Sequence, residues 1–284
     1  MPEWLGIAIA FIYGTVVGSF LNVCIWRMPR EESIIRPGSH CPACNTLLRG
    51  WDLIPLLSFL LYRRKCRYCG APISWRYFLV ELTTGVYFGL VWYRFGGLID
   101  FLTYALFGAA LIAVFFIDLE HYIIPDELSL FGIIIGIVHD GIGLAIGTRH
   151  PYWVPLPWAG TRLPIPQSII GAVACGGIFV GIAIFSYYLF KKEGMGGGDI
   201  KLAAAIGAVL GLWSALVSFF IAVALGSIIG LMLILAGRKT RRDYVPFGPM
   251  MVIGALVAIF FGEQIWTSYL SYIGLANIGG FLYP

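Results

Sequence analysis

The sequence predicts an all-α polytopic membrane protein with about eight transmembrane helices and a small cytoplasmic zinc-binding insertion between helices 1 and 2. Three observations predict this fold class. The chain is 59% hydrophobic and only 12% charged, with a mean hydropathy of +0.86, whereas soluble domains carry roughly 25% charged residues. Each spanning helix needs about 20 apolar residues, so 284 residues accommodate seven or eight spans. Lys and Arg are also distributed unevenly between the connecting segments.

Apolar runs mark the expected spans along the chain. The first has no basic segment ahead of it, so we interpret it as a retained span and not as a cleaved signal peptide. The final segment, 264–284, is either an interfacial tail or part of the last span. The predicted spans are 4–24, 77–92, 98–117, 128–146, 168–190, 200–212, 215–236 and 247–261. The predicted domains are a first transmembrane helix (1–26), a cytoplasmic four-cysteine zinc-binding insertion (27–76), a transmembrane core (77–270) and a C-terminal tail (271–284).

The basic residues predict the orientation. Sixteen of the 19 Lys and Arg residues lie in the insertion 27–76, in or just after the turn before span six, and after span seven. Because cytoplasmic loops of membrane proteins carry the excess of Lys and Arg, we expect an extracytoplasmic N-terminus. The net charge of +4 is explained by this topology and indicates no nucleic-acid partner.

Four cysteines in the insertion form two C-x2-C pairs, "CPAC" and "CRYC". Each pair can supply two ligands to a metal ion, and two pairs complete the tetrahedron that zinc prefers. Two disulfides are the alternative, but a reducing compartment disfavours them. We expect a structural zinc ion, because four thiolates leave no open coordination position for a substrate. The predicted ligands are Cys41, Cys44, Cys66 and Cys69.

Two aspartates stand at the ends of predicted spans. Asp118 ends span three in "FFIDLEHYIIPDELSL", and Asp199 begins span six in "GMGGGDIK". The charge distribution places both on the cytoplasmic side at similar depth. Two nearby carboxylates resist double ionisation and share a proton, so one can activate water while the other polarises a peptide carbonyl. We therefore predict Asp118 and Asp199 as a catalytic pair, with Gly196, Gly197 and Gly198 admitting the substrate backbone.

Other acidic residues have simpler interpretations. An aspartate at a helix start is often an N-cap, which is the alternative for Asp199 and the preferred interpretation of Asp126. Asp118 lies at a helix C-terminus, where the helix dipole disfavours an anion. Glu81 falls about one turn into span two, and the sequence does not assign its role.

These residues together resemble the bacterial type IV prepilin peptidases, a family of membrane aspartic proteases that also act as N-methyltransferases. The second aspartate motif, Gly196-Gly197-Gly198-Asp199, fits the GxGD pattern that the family shares with presenilin-like proteases. The matching segments are "GSFLNVCIWRMPR" (18–30), the cysteine insertion (41–69), "ISWRYFLVEL" (73–82), "IDLEHYIIPDELSL" (117–130) and "GMGGGDIKLAAAIGA" (194–208).

The resemblance implies a specific activity. Members of this family cut the basic leader from prepilins and pseudopilins at the cytoplasmic membrane face, and many then methylate the new N-terminus with S-adenosylmethionine. It also implies Asp118 and Asp199 as the catalytic pair, and a bacterial inner-membrane location. No residue of this sequence is assigned to S-adenosylmethionine. The alternatives are a proton-coupled transporter that uses the two aspartates as relay groups, and a non-enzymatic pilus or secretion assembly factor.

Overall fold

The computed structural model describes residues 2–156, 161–191, 195–238, 240 and 245–274. Two compact units divide the chain, Met1–Ile117 and Asp118–Pro284. In chain order the elements are α1 (Glu3–Arg27), a 3-10 helix (Met28–Arg30), a second 3-10 helix (Gly50–Leu53), α2 (Leu57–Leu61), α3 (Trp75–Phe95), α4 (Leu98–His121), α5 (Asp126–Ala145), β1 (Tyr152–Leu156), β2 (Thr161–Ile165), α6 (Gln167–Phe190), α7 (Gly197–Leu235) and α8 (Gly248–Tyr272).

In the first unit, α1 and α3 run antiparallel along their whole length. Small residues let the two backbones approach closely, as is common between membrane helices. A Cβ added to Gly14 would lie 2.7 Å from the Thr84 carbonyl oxygen, and one added to Gly18 would lie 2.8 Å from the Glu81 Cα. Near the end of α1, Asn22 Nδ2 donates a hydrogen bond to the Tyr77 carbonyl at 3.1 Å.

In the second unit, α7 contacts α5, α6 and α8 through similarly close backbone approaches. A Cβ added to Gly171 on α6 would lie 2.0 Å from the Gly207 carbonyl oxygen, so neither glycine tolerates a side chain. Further along α7, a Cβ added to Gly254 of α8 would lie 2.2 Å from the Ser218 carbonyl oxygen. These contacts fix the position of α7 and therefore of Asp199 in its first turn.

Helix α7 is broken at Gly211, where φ is 72° and ψ is 172°. An unbroken α-helix of 39 residues would extend about 58 Å, almost twice the hydrocarbon thickness. The left-handed φ at Gly211 divides α7 into α7a (197–210) and α7b (212–235), and the chain reverses there. On α7b, residue Gly226 lies beside Phe247 at the start of α8, the end of the unit that also holds Asp118 beside Gly248.

The predicted fold class is confirmed. Six helices among the described residues are long and apolar enough to cross a membrane, and α7 is one of them. Helix α3, which lies along α1, adds a seventh segment. Dividing α7 at Gly211 adds an eighth, so the count reaches the expected eight. The chain is therefore a multi-pass membrane protein. The break falls where the sequence predicted the boundary between spans six and seven.

The helix ends differ in detail from the predicted spans. Helix α8 continues to Tyr272, eleven residues beyond the predicted end of span eight, so 264–272 belongs to the helix. Of the predicted C-terminal tail 271–284, residues 275–284 lie outside the described part of the chain. The domain boundaries predicted from the sequence stay a prediction.

A two-stranded hairpin interrupts the helices between α5 and α6. Strands β1 and β2 pair antiparallel, with Tyr152 opposite Ile165. Beside it, the buried carboxylate of Asp140 on α5 accepts hydrogen bonds from the backbone N–H and the hydroxyl of Ser168, at 2.8 and 3.0 Å. Asp140 thereby satisfies an amide at the start of α6 that has no partner within the helix.

Candidate active site and metal centre

Asp118 lies in the last turn of α4, and the chain leaves the helix immediately after it. Tyr122 adopts a left-handed φ of 59°, and its N–H donates to the Asp118 carbonyl at 2.9 Å, which ends the helix. The Asp118 side chain is only 4% exposed. Its carboxylate accepts a hydrogen bond from the backbone N–H of Gly248, at the start of α8.

Asp199 is the third residue of α7. The N-cap of this helix is Gly196, so the N-cap alternative for Asp199 is wrong. Its carboxylate instead reaches back and accepts a hydrogen bond from the Gly196 N–H. That contact satisfies one of the free amides of the first turn, and the helix dipole favours a negative charge there. The residue is 6% exposed.

The two aspartates interact. The carboxylate of Asp118 lies close enough to that of Asp199 to act on it electrostatically. Among the residues that the structure describes, no Lys, Arg or His forms an ion pair with either of them. Two buried acidic groups without a cationic partner favour a state in which they hold one negative charge and one proton between them. That state contains both a general base and a general acid.

Ile124 packs beside Gly198, which precedes Asp199, and beside Gly248, which supports Asp118. A Cβ added to Gly198 would lie 3.0 Å from the Ile124 Cβ, and one added to Gly248 would lie 3.2 Å from the Ile124 Cδ1. The predicted substrate-proximal glycines therefore differ from one another. Gly197 faces open space, whereas Gly198 packs against Ile124. Their contact with a substrate stays a prediction.

The neighbouring acidic residue Asp126 is not part of the buried pair. Helix α5 begins at Asp126 with Pro125 as its N-cap, so the predicted N-cap role of Asp126 is wrong. Asp126 instead forms an exposed ion pair with Lys201 on α7. This pair joins the starts of α5 and α7, and exposed pairs of this kind contribute little to stability.

The four predicted cysteine ligands come together in the first unit. The sulfur atoms of Cys41, Cys44, Cys66 and Cys69 all lie within 4.8 Å of one another, and those of Cys41 and Cys69 are 3.9 Å apart. Tetrahedral zinc with Zn–S bonds of about 2.3 Å requires sulfur atoms about 3.8 Å apart. None of the four forms a disulfide. The cluster could therefore hold a metal ion.

The first cysteine pair lies on a tight backbone loop. The Cys41 N–H donates to the Thr46 carbonyl at 3.0 Å, and the Asn45 N–H donates to the Cys41 carbonyl at 2.8 Å. Asn45 has a left-handed φ of 54°. Hydrogen bonds with the side chain and backbone of Thr46 lower the pKa of the Cys44 thiol to about 6. A lowered pKa favours the thiolate, the form that binds metal.

The second pair repeats the first, 25 positions later in the chain. The Cys66 N–H donates to the Ala71 carbonyl, and the Gly70 N–H donates to the Cys66 carbonyl, both at 2.8 Å. Gly70 has the left-handed φ that Asn45 has in the first loop. Single β-bridges close both loops, His40 with Leu47 and Lys65 with Pro72. The two metal-binding loops are thus two copies of one backbone structure.

Sequence reasoning missed three contributors to these sites. Gly248 and Ile124 support the aspartates, yet neither carries a side chain that suggests chemistry. Glu81, which the sequence left unassigned, is buried in α3 and accepts hydrogen bonds from the Leu56 N–H at 2.8 Å and from the Ser19 side chain. Its role in this structure is to hold the segment between the two metal-binding loops against α1 and α3.

The fold and the two sites define a polytopic membrane protein with a buried aspartate pair at helix ends and a separate four-cysteine module. Two family models match the chain. The Bacterial Peptidase A24 N-terminal domain matches residues 12–95, and the Type IV leader peptidase family matches residues 105–231. The chain belongs to the type IV leader peptidase family.

Curated relatives match over nearly the whole chain. The prepilin leader peptidase/N-methyltransferase of Bacillus subtilis is 33% identical over 93% of this chain and 98% of its own length. The proteins of the same name from Stutzerimonas stutzeri and Neisseria gonorrhoeae are 32% and 31% identical, over 94% and 92% of this chain and 94% and 93% of their own lengths. No solved structure matches the chain significantly.

Proposed function

We propose that this chain is a membrane aspartic endopeptidase that removes the basic leader from type IV prepilins or pseudopilins, with Asp118 and Asp199 as its catalytic pair. The observation that carries the proposal is the buried, interacting pair of carboxylates, without a cationic partner in the described chain, in a protein of the type IV leader peptidase family. The relatives named above are prepilin leader peptidases, which supports this substrate class.

The proposed reaction uses one proton shared by the pair. The ionised carboxylate removes a proton from a water molecule, whose oxygen attacks the carbonyl carbon of the scissile peptide bond. The protonated carboxyl group donates its proton to the carbonyl oxygen as that oxygen gains charge. When the C–N bond breaks, a proton passes to the leaving amine, and the pair returns to its starting charge.

The backbone supports each carboxylate in this scheme. The Gly248 N–H donates to Asp118 and the Gly196 N–H donates to Asp199, so each side chain keeps its orientation when its proton moves. Such fixed dipoles stabilise developing charge without reorganisation during the reaction.

A second activity is proposed from the relatives' names alone. These proteins are called N-methyltransferases as well as peptidases, which supports methylation of the new N-terminal amine. S-adenosylmethionine would supply the methyl group. No residue of this chain is assigned to that cofactor.

We propose that the four-cysteine cluster holds a structural zinc ion. The donor set fits, because four sulfur atoms at tetrahedral spacing satisfy zinc completely and leave no open position. Zinc would join the two metal-binding loops. The predicted orientation is part of the proposal: an extracytoplasmic N-terminus in the bacterial inner membrane, with the aspartate pair and the cysteine module on the cytoplasmic side.

The decisive experiment is coexpression with a prepilin. Cleavage is followed by gel shift and by the N-terminal mass of the product, for wild type, Asp118→Asn and Asp199→Asn. General acid–base groups contribute about 10²- to 10⁴-fold to rate, so we expect each variant to leave the prepilin uncut. The matched control is Glu127→Gln, an exposed carboxylate between the two aspartates in sequence, which should cut normally.

The same experiment separates the alternatives. An assembly factor would keep its function in both aspartate variants, since it needs no proton transfer at this site. A proton-coupled transporter would leave the prepilin uncut even as wild type. Its proton flux would be lost in the two aspartate variants. A product heavier by one methyl group would support the transferase activity.

A further inference from the structure

The segment that joins the two metal-binding loops exposes apolar side chains on one face. In α2, Leu57, Leu60 and Leu61 are 53%, 59% and 67% exposed. Phe59, on the other face of the same helix, is buried, and its ring centroid lies 5.3 Å from that of Trp75 and 5.2 Å from that of Phe78. Helix α2 therefore packs on the start of α3 by one face and leaves three leucines uncovered.

The depth of α2 follows from its connection to α3. The Leu56 N–H, one residue before α2, donates to Glu81. Glu81 lies against Gly18 of α1, nine residues before the end of that helix at Arg27. At a rise of 1.5 Å per residue, this is about 14 Å along the axis from the basic end of α1 toward its middle. Since α1 is long and apolar enough to span a membrane, Leu56 is attached at a level that belongs to the bilayer.

Basic and aromatic side chains follow directly after the leucines. Arg63, Arg64 and Lys65 are all exposed, and the Arg64 guanidinium carbon lies 5.5 Å from the ring centroid of Trp75, which is 54% exposed. Apolar residues beside Lys, Arg and Trp are typical of segments that lie in a membrane interface. Clustered basic residues there attract anionic headgroups.

Two sets of hydrogen bonds hold the first part of the segment in place. Besides the contact between Leu56 and Glu81, the carboxylate of Asp52 accepts hydrogen bonds from the Tyr68 hydroxyl at 3.0 Å and from Arg67 at 3.2 Å. Asp52 thus fixes the start of the segment to the second metal-binding loop. Helix α2 is thus fixed with its apolar face at membrane level. Lipid is the partner whose chemistry matches that face.

We propose that residues 54–65 form an interfacial segment that inserts into the bilayer, with Leu57, Leu60 and Leu61 in contact with acyl chains and Arg63, Arg64 and Lys65 on anionic headgroups. The four-cysteine module is then positioned on the membrane surface by lipid as well as by α1 and α3. This inference does not depend on the proposed peptidase activity.

The test places a fluorescent amino acid at position 60 of the full chain by stop-codon suppression, which avoids labelling the cysteines. The protein is reconstituted in vesicles, and emission is quenched either by nitroxide-labelled lipid or by aqueous iodide. The same label at Phe20, an exposed residue within the apolar part of α1, gives the lipid reference, and at Glu32, beyond the end of α1, the aqueous reference. Metal content measured on each labelled protein confirms that the module is folded.

We expect the position-60 label to behave like the Phe20 label: strong quenching by labelled lipid, weak quenching by iodide and blue-shifted emission. Quenching by iodide to the extent seen at Glu32, without quenching by lipid, would overturn the proposal. Protection from both quenchers would overturn it as well, since another protein surface would then cover the leucines; loss of that protection on dilution in lipid would identify a second copy of the chain.

A second experiment tests whether the basic residues bind anionic headgroups. Adding anionic lipid to zwitterionic vesicles should reduce quenching at position 60 by acrylamide, a neutral aqueous quencher that anionic lipid does not repel, in the otherwise unchanged chain. The double variant Arg63→Gln/Arg64→Gln should lose this response to anionic lipid, while Arg94→Gln, an exposed arginine at the far end of α3, should keep it. An equal response in both variants would exclude headgroup binding by these arginines.

Discussion

The backbone of Gly248 lies directly against the carboxylate of Asp118, so that a Cβ added to the glycine would lie 2.5 Å from Oδ2. The two residues are 130 positions apart, and their contact joins the end of α4 to the start of α8. The position of Asp118 therefore depends on a glycine, which contributes a backbone amide and has no side chain to displace the carboxylate.

The Gly248→Ala substitution should consequently impair cleavage. The methyl group would push the Asp118 carboxylate from its position, and misplacement of a catalytic group by about 1 Å can cost about 10²-fold in rate. Cleavage of a coexpressed prepilin measures the effect. Gly230→Ala is the matched control, because a Cβ there meets no atom within 4 Å; equal loss of cleavage in both variants would argue against a specific contact.

The Gly211→Ala substitution should destabilise the protein without touching the aspartates. Gly211 has a φ of 72° and a ψ of 172°, a conformation that costs residues other than glycine of order 1–3 kcal/mol. Thermal unfolding in detergent should show a lower midpoint than wild type, whereas Gly230→Ala should not. An unchanged midpoint would mean that the chain turns at this point by another conformation.

Removal of one metal ligand should release the metal and loosen the cysteine module. Cys41→Ser leaves three thiolates, and we expect zinc content per chain to fall sharply and trypsin to cut within residues 63–67. His40→Gln is the control, since the His40 ring contacts the Gly38 carbonyl and lies outside the sulfur cluster. Cleavage by the aspartate pair should change less than zinc content does. Full zinc content in Cys41→Ser would contradict the four-sulfur site.

Asp52→Asn should weaken the link between the second metal-binding loop and the preceding segment. Burial alone would raise the pKa of Asp52, but hydrogen bonds from the Arg49 backbone, Tyr68 and Arg67 hold it below its ordinary value of 3.8. A carboxylate with a lowered pKa in the folded state stabilises above its unfolded pKa, and this contribution is lost as pH falls through the folded value.

The comparison for Asp52 therefore belongs at neutral pH, where the whole contribution is present. There, hydrogen exchange of residues 49–56 should be faster in Asp52→Asn than in wild type. The difference should close only below the ordinary pKa of 3.8. Asp126→Asn removes an exposed carboxylate in the other unit and should leave exchange in this segment unchanged.

The sequence was sufficient to predict which acidic and cysteine side chains come together. Cysteine spacing predicted the four-sulfur cluster, because ligand spacing within a short insertion leaves few geometries. The proximity of Asp118 and Asp199 was predictable, since the distribution of basic residues predicts that both helix ends face one side of the membrane. Span boundaries followed from the apolar runs to within a few residues, except at the end of α8.

What the sequence did not reveal depends on contacts between distant residues. Nothing local in Gly248 indicates that it supports Asp118, and nothing in Leu56 indicates that Glu81 holds it at membrane level. The repeat of the two metal-binding loops is also hidden, because hydrogen bonds of the backbone define it and only the cysteines are shared. The N-cap prediction for Asp126 and the N-cap alternative for Asp199 were wrong, because cap preference does not specify which residue of the first turn a carboxylate will occupy.

The short length of α7a affects how water can reach the aspartate pair. From Gly197 to the break at Gly211 the segment extends only about 21 Å, less than the hydrocarbon layer of about 30 Å. One of its ends must therefore stop below the lipid surface, where unpaired peptide groups are not tolerated without a polar solvent. A hydrated recess at that end would meet this need, and beside Asp199 it would also deliver the reagent that peptide-bond cleavage consumes.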